Sequence, residues 1–408
     1  MRNFEMPGRS LVMARDGMAA TSHPGATLAA VQILAAGGNA MDAANAACAV
    51  QCVVEPGSTG VGGDCFALYS RGGTHDVIAY DGSGWAPAAA SAERLRSMGV
   101  QTIARHSPHA VTVQGAVDAW TTLHRDHGRL PLRDVLAPAI RFAEEGYVVT
   151  LRAIAETGRD AFYRGAIAAD LVAQLQAHGG LHTLDDFAEF RGEYVTPIRA
   201  KFRGYDVIEC PPAGQGVVAL LLLRLLDKYD AEGSPLDADR LHREIEAAKL
   251  AYAVRDAVLG DPRKGSVEVE RLLSNDYVDA LRSRIDLESV LDPAAALTSV
   301  EHRDTVYITV VDRDRNCVSF INSLFYPFGS GLMGKESGVM LHNRGMSFSV
   351  EPGHPNAIAP HKRPMHTIIP GMVARDGRVQ MSFGVMGGHY QAMGHAHSLS
   401  KVLHYHGC

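Results

Sequence analysis

The stretch Asp304-Thr-Val-Tyr-Ile-Thr-Val-Val-Asp312 places a threonine at the start of a strongly β-forming run. Valine, tyrosine, isoleucine and threonine suit a pleated, half-buried strand. A threonine hydroxyl is a poor nucleophile unless a base lies beside it. One solution is to cut the chain just before the threonine, so that its own α-amino group becomes that base. Thr305 is therefore a candidate self-processing nucleophile, although a threonine at a strand edge is ordinary when taken alone.

The sequence pattern differs on the two sides of Thr305. Downstream, short apolar runs separated by turn residues predict strands at 306–311, 317–325, 339–341, 371–374 and 379–383. Upstream, residues 111–256 are mainly helical in pattern, with helical apolar spacing over 135–146, 167–178, 217–229 and 244–258. A polar, alanine-rich segment, 282–303, leads into Thr305 as a linker.

The N-terminal part combines both kinds of element. Helices are predicted at 26–36 and 40–54, and strands at 66–69 and 77–80. The glycine-dense loop 58–64 lacks the Gly-Lys-Ser/Thr ending of a phosphate-binding loop, so we expect it to allow a close backbone approach instead. Strands flanking a long helical middle predict an α/β (α+β) fold, an αββα sandwich in which helices cover two stacked antiparallel sheets.

The composition is that of a globular protein. The chain has 408 residues, 46% of them hydrophobic, and can bury a large core. A net charge of −6 and the absence of a Lys/Arg run argue against nucleic-acid binding. No stretch is apolar enough to span a bilayer, and Met1 to Arg15 lacks a secretory signal. The six cysteines are scattered; Cys48 and Cys52 lie on an apolar helix-like run, which predicts buried free thiols rather than metal ligands. No metal site is predicted, and reduced thiols indicate a cytoplasmic location.

A nucleophilic threonine also needs donors for the oxyanion that develops at the attacked carbonyl. Backbone N–H groups of glycines suit this role, because no side chain blocks the approach of the substrate. Gly387-Gly388 follows the last predicted strand, and Gly329-Ser330-Gly331 is a second candidate. Each is explained as well by a plain turn when it is considered in isolation.

Short motifs occur in order along essentially the whole chain. Those before the nucleophile are Ser22-His-Pro24, Gly37-Gly-Asn-Ala-Met-Asp-Ala-Ala44, Glu55-Pro56, Gly60-Val-Gly-Gly63, Phe162-Tyr-Arg-Gly165, Gly179-Gly180, Arg203-Gly-Tyr205 and Gly260-Asp-Pro262. Those after it are Val310-Val-Asp312, Phe328-Gly-Ser-Gly331, Glu336-Ser-Gly338, Lys362-Arg-Pro364 and Gly387-Gly388. This ordered set resembles the γ-glutamyltransferase family of N-terminal-nucleophile (Ntn) hydrolases, and chance agreement on this scale is implausible.

The resemblance implies an Ntn-hydrolase fold that is made as a single proenzyme. Residues 1–304 would form the large-subunit region, and residues 305–408 the small-subunit region that begins at the nucleophile. Autocatalytic cleavage between Asp304 and Thr305 would leave a heterodimer of the two fragments, and a homo-oligomer of such units is compatible with the sequence. No cofactor is implied.

The resemblance also implies roles for individual residues. Thr305 Oγ would attack an amide carbonyl, with the freed amine as base. The N–H groups of Gly387 and Gly388 would hold the oxyanion, and Ser323 would help to orient the nucleophile. Water or an amine acceptor would then resolve the acyl-enzyme. The implied partner is a small-molecule amide, and no nucleic acid or membrane is expected.

Several positions depart from the glutamyl-transferring members of the family. Thr305-Val306-Tyr307 replaces their Thr-Thr-His, and the segment Asp81–Pro87 lacks their arginine for the α-carboxylate. Phe325 replaces an asparagine, while Arg344 and Ser347 replace a glutamine and an aspartate that grip the glutamyl group. Without that arginine and aspartate, a buried site would bind an amino-acid zwitterion poorly.

The Asp-Thr-Val-Tyr sequence resembles instead the oxamate amidohydrolase branch, which hydrolyses a small amide with an adjacent carboxylate. Arg344 would then bind that carboxylate through its bidentate guanidinium, although a solvated surface arginine explains it equally well. His389 and His366 would either contact the substrate or support the site structurally. Thr367 and Phe325 complete the predicted substrate-binding set.

Two alternatives stay open. One is γ-glutamyl transfer or hydrolysis of glutathione-type substrates. The other is an uncleaved, inactive remnant, since family members continue well beyond the position of Cys408 and the resemblance therefore predicts a C-terminal truncation. The histidines of the tail, which would form at most a weak metal site on a continuing helix, are His395, His397, His404 and His406.

Overall fold

Two antiparallel sheets form the centre of the structure. The structure is a computed structural model and describes residues 12–144, 148–229, 234, 236–291 and 305–404. In the described part of the chain the strands are β1 (Gly17–Ala20), β2 (Asp64–Ser70), β3 (Val77–Gly82), β4 (Glu193–Val195), β5 (Ile198–Phe202), β6 (Tyr205–Glu209), β7 (Val306–Asp312), β8 (Cys317–Ser323), β9 (Gly371–Arg375) and β10 (Arg378–Phe383). The strand order is β1-β7-β8-β2-β3-β4 in one sheet and β10-β9-β6-β5 in the other.

Helices fill most of the connections between these strands. They are α1 (Pro24–Ala35), α2 (Ala40–Val54), α3 (Ala92–Ser97), α4 (Ala116–His127), α5 (Leu132–Phe142), α6 (Val148–Thr157), α7 (Arg159–Tyr163), α8 (Ala166–Ala177), α9 (Leu184–Glu189), α10 (Gly216–Leu226), α11 (Ala238–Val258), α12 (Val269–Leu272), α13 (Asn275–Arg282) and α14 (Tyr390–Leu399). The predicted helices at 26–36, 40–54, 135–146, 167–178, 217–229 and 244–258 each correspond to one of these elements.

Alternation of side chains along β8 separates the layers of the molecule. Val318 and Phe320 pack in one core with helices α1, α2 and α4, whereas Cys317 and Ile321 lie in a second core between the two sheets. A third core covers the outer face of the smaller sheet with α10, α11 and α14. Helices therefore cover both outer faces of the paired sheets, and the predicted αββα sandwich is confirmed.

Each sheet combines strands from both sides of Thr305. Strands β7 and β8 lie between β1 and β2, and β9 pairs with β6 on one side and β10 on the other. The predicted large-subunit and small-subunit regions therefore share both sheets and three cores. Cleavage before Thr305 would leave two fragments held together by sheet hydrogen bonds and buried apolar contacts, although the boundary itself stays a prediction.

The start of α2 connects this helix to the strand that begins at the candidate nucleophile. Asn39 accepts hydrogen bonds from the amides of Met41 and Asp42, and the Asp42 carboxylate accepts one from the Asn39 amide, which forms a capping box. Asp312, the last residue of β7, accepts a hydrogen bond of 3.0 Å from the amide of Ala40. Strand β7 is thus fixed at the end opposite Thr305.

The prediction of a mainly helical middle is wrong in one part, because β4, β5 and β6 lie within it. The connection between β5 and β6 is a two-residue turn, Arg203-Gly204, in which both residues have positive φ values, 52° and 82°. Such turns match the twist of paired strands. Strand β5 alternates strictly between apolar and charged residues, but each strand has at most five residues, a short pattern beside the long apolar helices that follow.

The prediction of a strand at 339–341 is also wrong. The segment forms only an isolated antiparallel bridge between Met333 and Met340, in which Leu341 N donates to Leu332 O and Gly334 N donates to Val339 O. Three apolar residues are too few to distinguish a strand from a buried loop.

Of the predicted linker 282–303, residues 292–303 lie outside the described part, as does Asp304.

The glycine-dense loop before β2 allows the predicted close approach of backbones. A Cβ atom on Gly62 would lie 2.1 Å from Met340 O, and one on Gly63 would lie 2.5 Å from Ser323 O. The prediction of buried free thiols is confirmed for Cys48 and Cys52, and Cys65, Cys210 and Cys317 are buried free thiols as well. Among the described residues, no helix combines the length and apolar character needed to cross a membrane.

Candidate active site

Thr305 and Ser323 lie side by side where β7 begins and β8 ends, at the ends of two interior strands of the larger sheet. Val306 pairs with Asn322 where β7 and β8 run side by side, which brings the residue before one strand next to the end of the other. The two side-chain oxygens are 3.1 Å apart, and Thr305 is 4% exposed. Ser323 Oγ also accepts a hydrogen bond of 2.8 Å from the amide of Phe325. The serine therefore lies within hydrogen-bonding distance of the threonine hydroxyl, and the role in orienting the nucleophile that the resemblance implies for it stays a prediction.

The glycine pair lies between β10 and α14. Gly387 and Gly388 have φ values of 119° and 59°, in the region that side chains other than glycine rarely adopt. Gly387 O accepts a hydrogen bond from Tyr390 N, and Gly388 O accepts one from Gln391 N. Because the peptide group is planar and trans, the Gly388 N–H is directed away from the first helical turn, opposite to Gly387 O. The pair thus presents a donor at a helix N-terminus, where negative charge is favoured.

The second glycine candidate, around Ser330, is explained by packing. A Cβ atom on Gly329 would lie 2.3 Å from Leu341 O. The Ser330 hydroxyl donates to that same carbonyl at 2.8 Å, and Ser330 is 1% exposed. A close backbone approach accounts for these residues, which leaves Gly387-Gly388 as the stronger oxyanion candidate.

Arg344 is enclosed in the site rather than solvated on the surface. It is 1% exposed, and its Nη1 donates a hydrogen bond of 2.7 Å to Thr367 Oγ1. Its guanidinium lies 3.8 Å from the ring centroid of Phe325, a cation–π contact. Phe325 in turn donates its amide hydrogen to Ser323, as described above. The structure therefore brings Arg344, Thr367 and Phe325 together beside the candidate nucleophile.

His366 is part of a buried electrostatic cluster around Asp64. Its Nε2 lies 3.0 Å from Asp64 Oδ2, and its Nδ1 accepts from Ile368 N, which places the proton on Nε2. Burial would raise the pKa of Asp64, but the neighbouring His342, His366 and Arg344 outweigh it and hold that pKa at about 2. Burial and the charge of Arg344 lower the pKa of His366 to about 4. His366 is fully buried and neutral at pH 7.

His389 stands between the glycine pair and a cavity of about 350 Å³. Its ring centroid is 6.5 Å from that of Phe325, which also lines the cavity. The remaining walls carry four apolar and six polar side chains: Leu259, Met346, Phe348 and Met365, and Arg255, Asp256, Ser347, Ser349, His354 and Asn356. A cavity with convergent polar groups, linked to Thr305 through Phe325 and Ser323, has the character of a substrate site.

Four buried polar residues of this region were not predicted from the sequence: Asp64, Gln215, Arg255 and His342. Asp64 ends the glycine-dense loop and Gln215 lies in a glycine-flanked turn, so the only signal was a polar residue beside glycines.

The tail histidines do not form a cluster, since His395 pairs with Glu209 at 2.7 Å and His397 with Glu244 at 2.6 Å. The side chain of His404 and all of His406 lie outside the described residues. Within the described part, no group of metal-binding side chains occurs.

Paired antiparallel sheets, covering helices and a threonine before the first strand of the downstream region define an Ntn-hydrolase fold. A family model described as gamma-glutamyltranspeptidase matches residues 26–150 and 149–407. The structure also superposes on a cephalosporin acylase from Bacillus halodurans with a TM-score of 0.90 and 35% identity, covering 99% of this chain and 84% of that one.

Two curated relatives are similar over nearly the whole chain. A glutathione hydrolase-like YwrD proenzyme from Bacillus subtilis is 34% identical over 443 residues, which cover 97% of this chain and 83% of the relative. An oxamate amidohydrolase proenzyme from Klebsiella pneumoniae is 34% identical over 443 residues, which cover 96% and 82%. This chain therefore belongs to the gamma-glutamyltranspeptidase family of enzymes.

Proposed function

We propose that this chain is a threonine-nucleophile amidohydrolase that cleaves itself between Asp304 and Thr305 and then hydrolyses a small carboxylate-bearing amide, of the oxamate type, in the cytoplasm. The observation that carries the proposal is the 3.1 Å contact between Thr305 and Ser323 where β7 begins and β8 ends. The names of both curated relatives describe proenzymes, which supports the processing step.

The reaction proceeds in two steps. The freed α-amine of Thr305 accepts the hydroxyl proton as Oγ attacks the amide carbonyl, and the negative charge on the carbonyl oxygen is held by the N–H groups of Gly387 and Gly388. The same proton passes to the leaving nitrogen as the C–N bond breaks, which leaves an ester on Thr305. Water then attacks this ester, the amine takes its proton, and the carboxylic acid is released as Thr305 Oγ recovers a hydrogen.

Arg344 is the residue that we propose binds the carboxylate of the substrate. Its guanidinium is buried beside Phe325 and Thr367, where an anionic substrate group would be desolvated and strongly attracted. The relative from Klebsiella pneumoniae carries the name oxamate amidohydrolase, which supports the same substrate class. His366 is hydrogen-bonded to Asp64, so we propose that it positions this carboxylate, whose charge supports Arg344, while His389 faces the cavity.

The nucleophile is tested by substitution of Thr305. Thr305→Ala removes the attacking oxygen, so we expect a single full-length chain and no amide hydrolysis, whereas Thr305→Ser retains slow cleavage. Intact-mass spectrometry with N-terminal sequencing measures the products. Thr309→Ala, on the same face of β7, is the matched control and should process like the parent. A single band from the parent after long incubation would favour the uncleaved remnant.

The substrate is tested by comparing oxamate with glutathione. We expect kcat/KM for oxamate hydrolysis to exceed that for glutathione at least tenfold, because the site offers a buried arginine for a single carboxylate. Comparable turnover of the two substrates would favour γ-glutamyl hydrolysis, the function named for the relative from Bacillus subtilis. Addition of an acceptor dipeptide distinguishes transfer from hydrolysis through the appearance of a new amide product.

A further inference from the structure

A buried glutamine lies directly behind the glycine pair. Gln215 immediately precedes α10 and is fully buried. Its Nε2 donates hydrogen bonds to Thr367 O at 2.7 Å and to Gly388 O at 3.0 Å. We propose that Gln215, together with Arg255, is a positioning residue that holds the glycine loop in the shape that oxyanion binding requires. The inference rests on the proposed function of Gly387 and Gly388.

The partners of Gln215 determine which way its amide group points. Both neighbours of Nε2 are carbonyl oxygens, which can only accept hydrogen bonds. The neighbour of Oε1 is Arg255 Nη1 at 3.3 Å, which can only donate. A flipped amide would place Oε1 against two carbonyl oxygens and the NH₂ group against a guanidinium N–H, so none of the three hydrogen bonds could form. The orientation is therefore determined, and both donors of the side chain are used on the two backbone segments that border the site.

Arg255 and Tyr252 extend this support to the next residue of the loop. Arg255 Nη1 lies 2.9 Å from His389 Nδ1, and its Nε donates to Asp256 at 2.8 Å. The Tyr252 hydroxyl donates to His389 O, and its ring stacks against the Arg255 guanidinium with 4.7 Å from the centroid to Cζ. The peptide groups on both sides of His389 are thus anchored by side chains of α11 and by Gln215.

Anchoring matters here because glycine has unusual conformational freedom. The peptide between Gly387 and Gly388 is fixed because Gly387 O accepts a hydrogen bond from Tyr390 N. The next peptide is fixed because Gly388 O accepts from Gln215 Nε2 and from Gln391 N. A preorganised donor stabilises the transition state because it does not reorient during the reaction. Loss of Gln215 would remove one of the two donors to Gly388 O and allow the loop several backbone conformations, so that the N–H donors would meet the oxyanion less often.

The first test is the isosteric substitution Gln215→Glu, which keeps the acceptor for Arg255 and removes both donors. We expect kcat for oxamate hydrolysis, normalised to the processed fraction, to fall about 10- to 100-fold while KM changes less than about threefold. Gln176→Glu is the matched control. Gln176 also donates to a backbone carbonyl, that of His182, but lies on α8 away from the site, and its kcat should equal that of the parent.

The second readout is the affinity for propylboronic acid. The oxygen of Thr305 adds to its trigonal boron, the hydroxyl proton passes to the amine, and the resulting tetrahedral anion places an oxygen where the oxyanion forms. We expect Ki to rise in Gln215→Glu by the same factor as kcat/KM falls, since both report transition-state binding. A fall in kcat/KM with an unchanged Ki would overturn the positioning role, because a merely structural defect does not follow this proportionality.

Two further measurements keep the inference separate from the proposed function. If Gln215→Glu does not fold, Tyr252→Phe removes one anchor of the same loop, and its kcat should fall about three- to tenfold with a parallel rise in Ki. Loss of all activity and of boronate binding in Thr305→Ala supports the nucleophile. If Thr305 is essential but Gln215→Glu or Tyr252→Phe matches the parent in both kcat and Ki, only the positioning role is wrong.

Discussion

At the scale of single residues, burial decides between roles that the sequence leaves open. A guanidinium is costly to remove from water unless charge or hydrogen-bond partners compensate. Arg344 is enclosed with a hydroxyl, an aromatic face and the buried Asp64 nearby, which excludes the alternative of a solvated arginine. Thr305 is buried as well, with its hydroxyl against that of Ser323, which is compatible with the proposed nucleophile.

The contact between Thr305 and Ser323 yields a kinetic prediction. In Ser323→Ala the threonine loses the group that orients its oxygen, and the amide of Phe325 loses its acceptor. We expect kcat to fall about 10- to 100-fold with little change in KM, measured by steady-state hydrolysis of oxamate.

Ser319→Ala is the control for this substitution. Ser319 lies on the same strand and face as Ser323, but its hydroxyl bonds to Tyr307 at 2.9 Å instead of to Thr305. Its activity should stay within about threefold of that of the parent. Equal losses in the two variants would show that general disturbance of β8, rather than the orientation of Thr305, lowers the rate.

At the scale of elements, the strength of the local pattern determines what could be predicted. Helix α2 is nearly uncharged and has a capping box, and its bounds agree with the prediction at both ends. Strand β7 is a continuous β-branched and aromatic run and was equally clear. The hairpin of β5 and β6 was missed because its register depends on a turn with positive φ and on pairing with β9, which lies over 160 residues later in the chain.

The turn of this hairpin gives a prediction about stability. Gly204 has a φ of 82° with no atom within 4 Å of a Cβ position, so a substitution changes only backbone strain. We expect Gly204→Ala to lower the free energy of unfolding by about 1–2 kcal/mol and Gly204→Asn by less, since asparagine tolerates this conformation. Urea unfolding in the uncleaved Thr305→Ala background measures the difference.

Gly265→Ala serves as the reference for the hairpin. Its Cβ position is also open, with Asp261 O at 4.0 Å, but its φ lies outside the left-handed region. Its free energy of unfolding should stay within about 0.5 kcal/mol of the parent. If Gly204→Ala is as stable as Gly265→Ala, the β5–β6 turn does not adopt the described conformation.

At the scale of the whole molecule, the site depends on contacts between distant parts of the chain. Asp64 and His366 are 302 residues apart in sequence, yet their side chains bond across the space between the sheets. The ring of His366 also packs on Phe66 of β2, with centroids 4.7 Å apart, and its backbone pairs with Ala213 and Gln215. No local pattern encodes such a cluster, which explains why the sequence offered Thr305 and the glycine pair as candidates but not the buried polar residues around them.

The depressed pKa of His366 makes the stability of the molecule sensitive to acid. Burial lowers that pKa from 6.5 to about 4, so the unfolded chain binds this proton at a higher pH than the folded chain does. The contribution of His366 to the free energy of unfolding is therefore complete above pH 6.5 and is lost as the pH falls towards 4. In the Thr305→Ala background we expect His366 to account for a loss of about 2 kcal/mol between pH 7 and pH 5, measured by urea unfolding. His366→Gln should remove that part of the loss, whereas His178→Gln, at an exposed position, should retain it. Equal pH dependence in both variants would mean that His366 titrates alike in the folded and unfolded states.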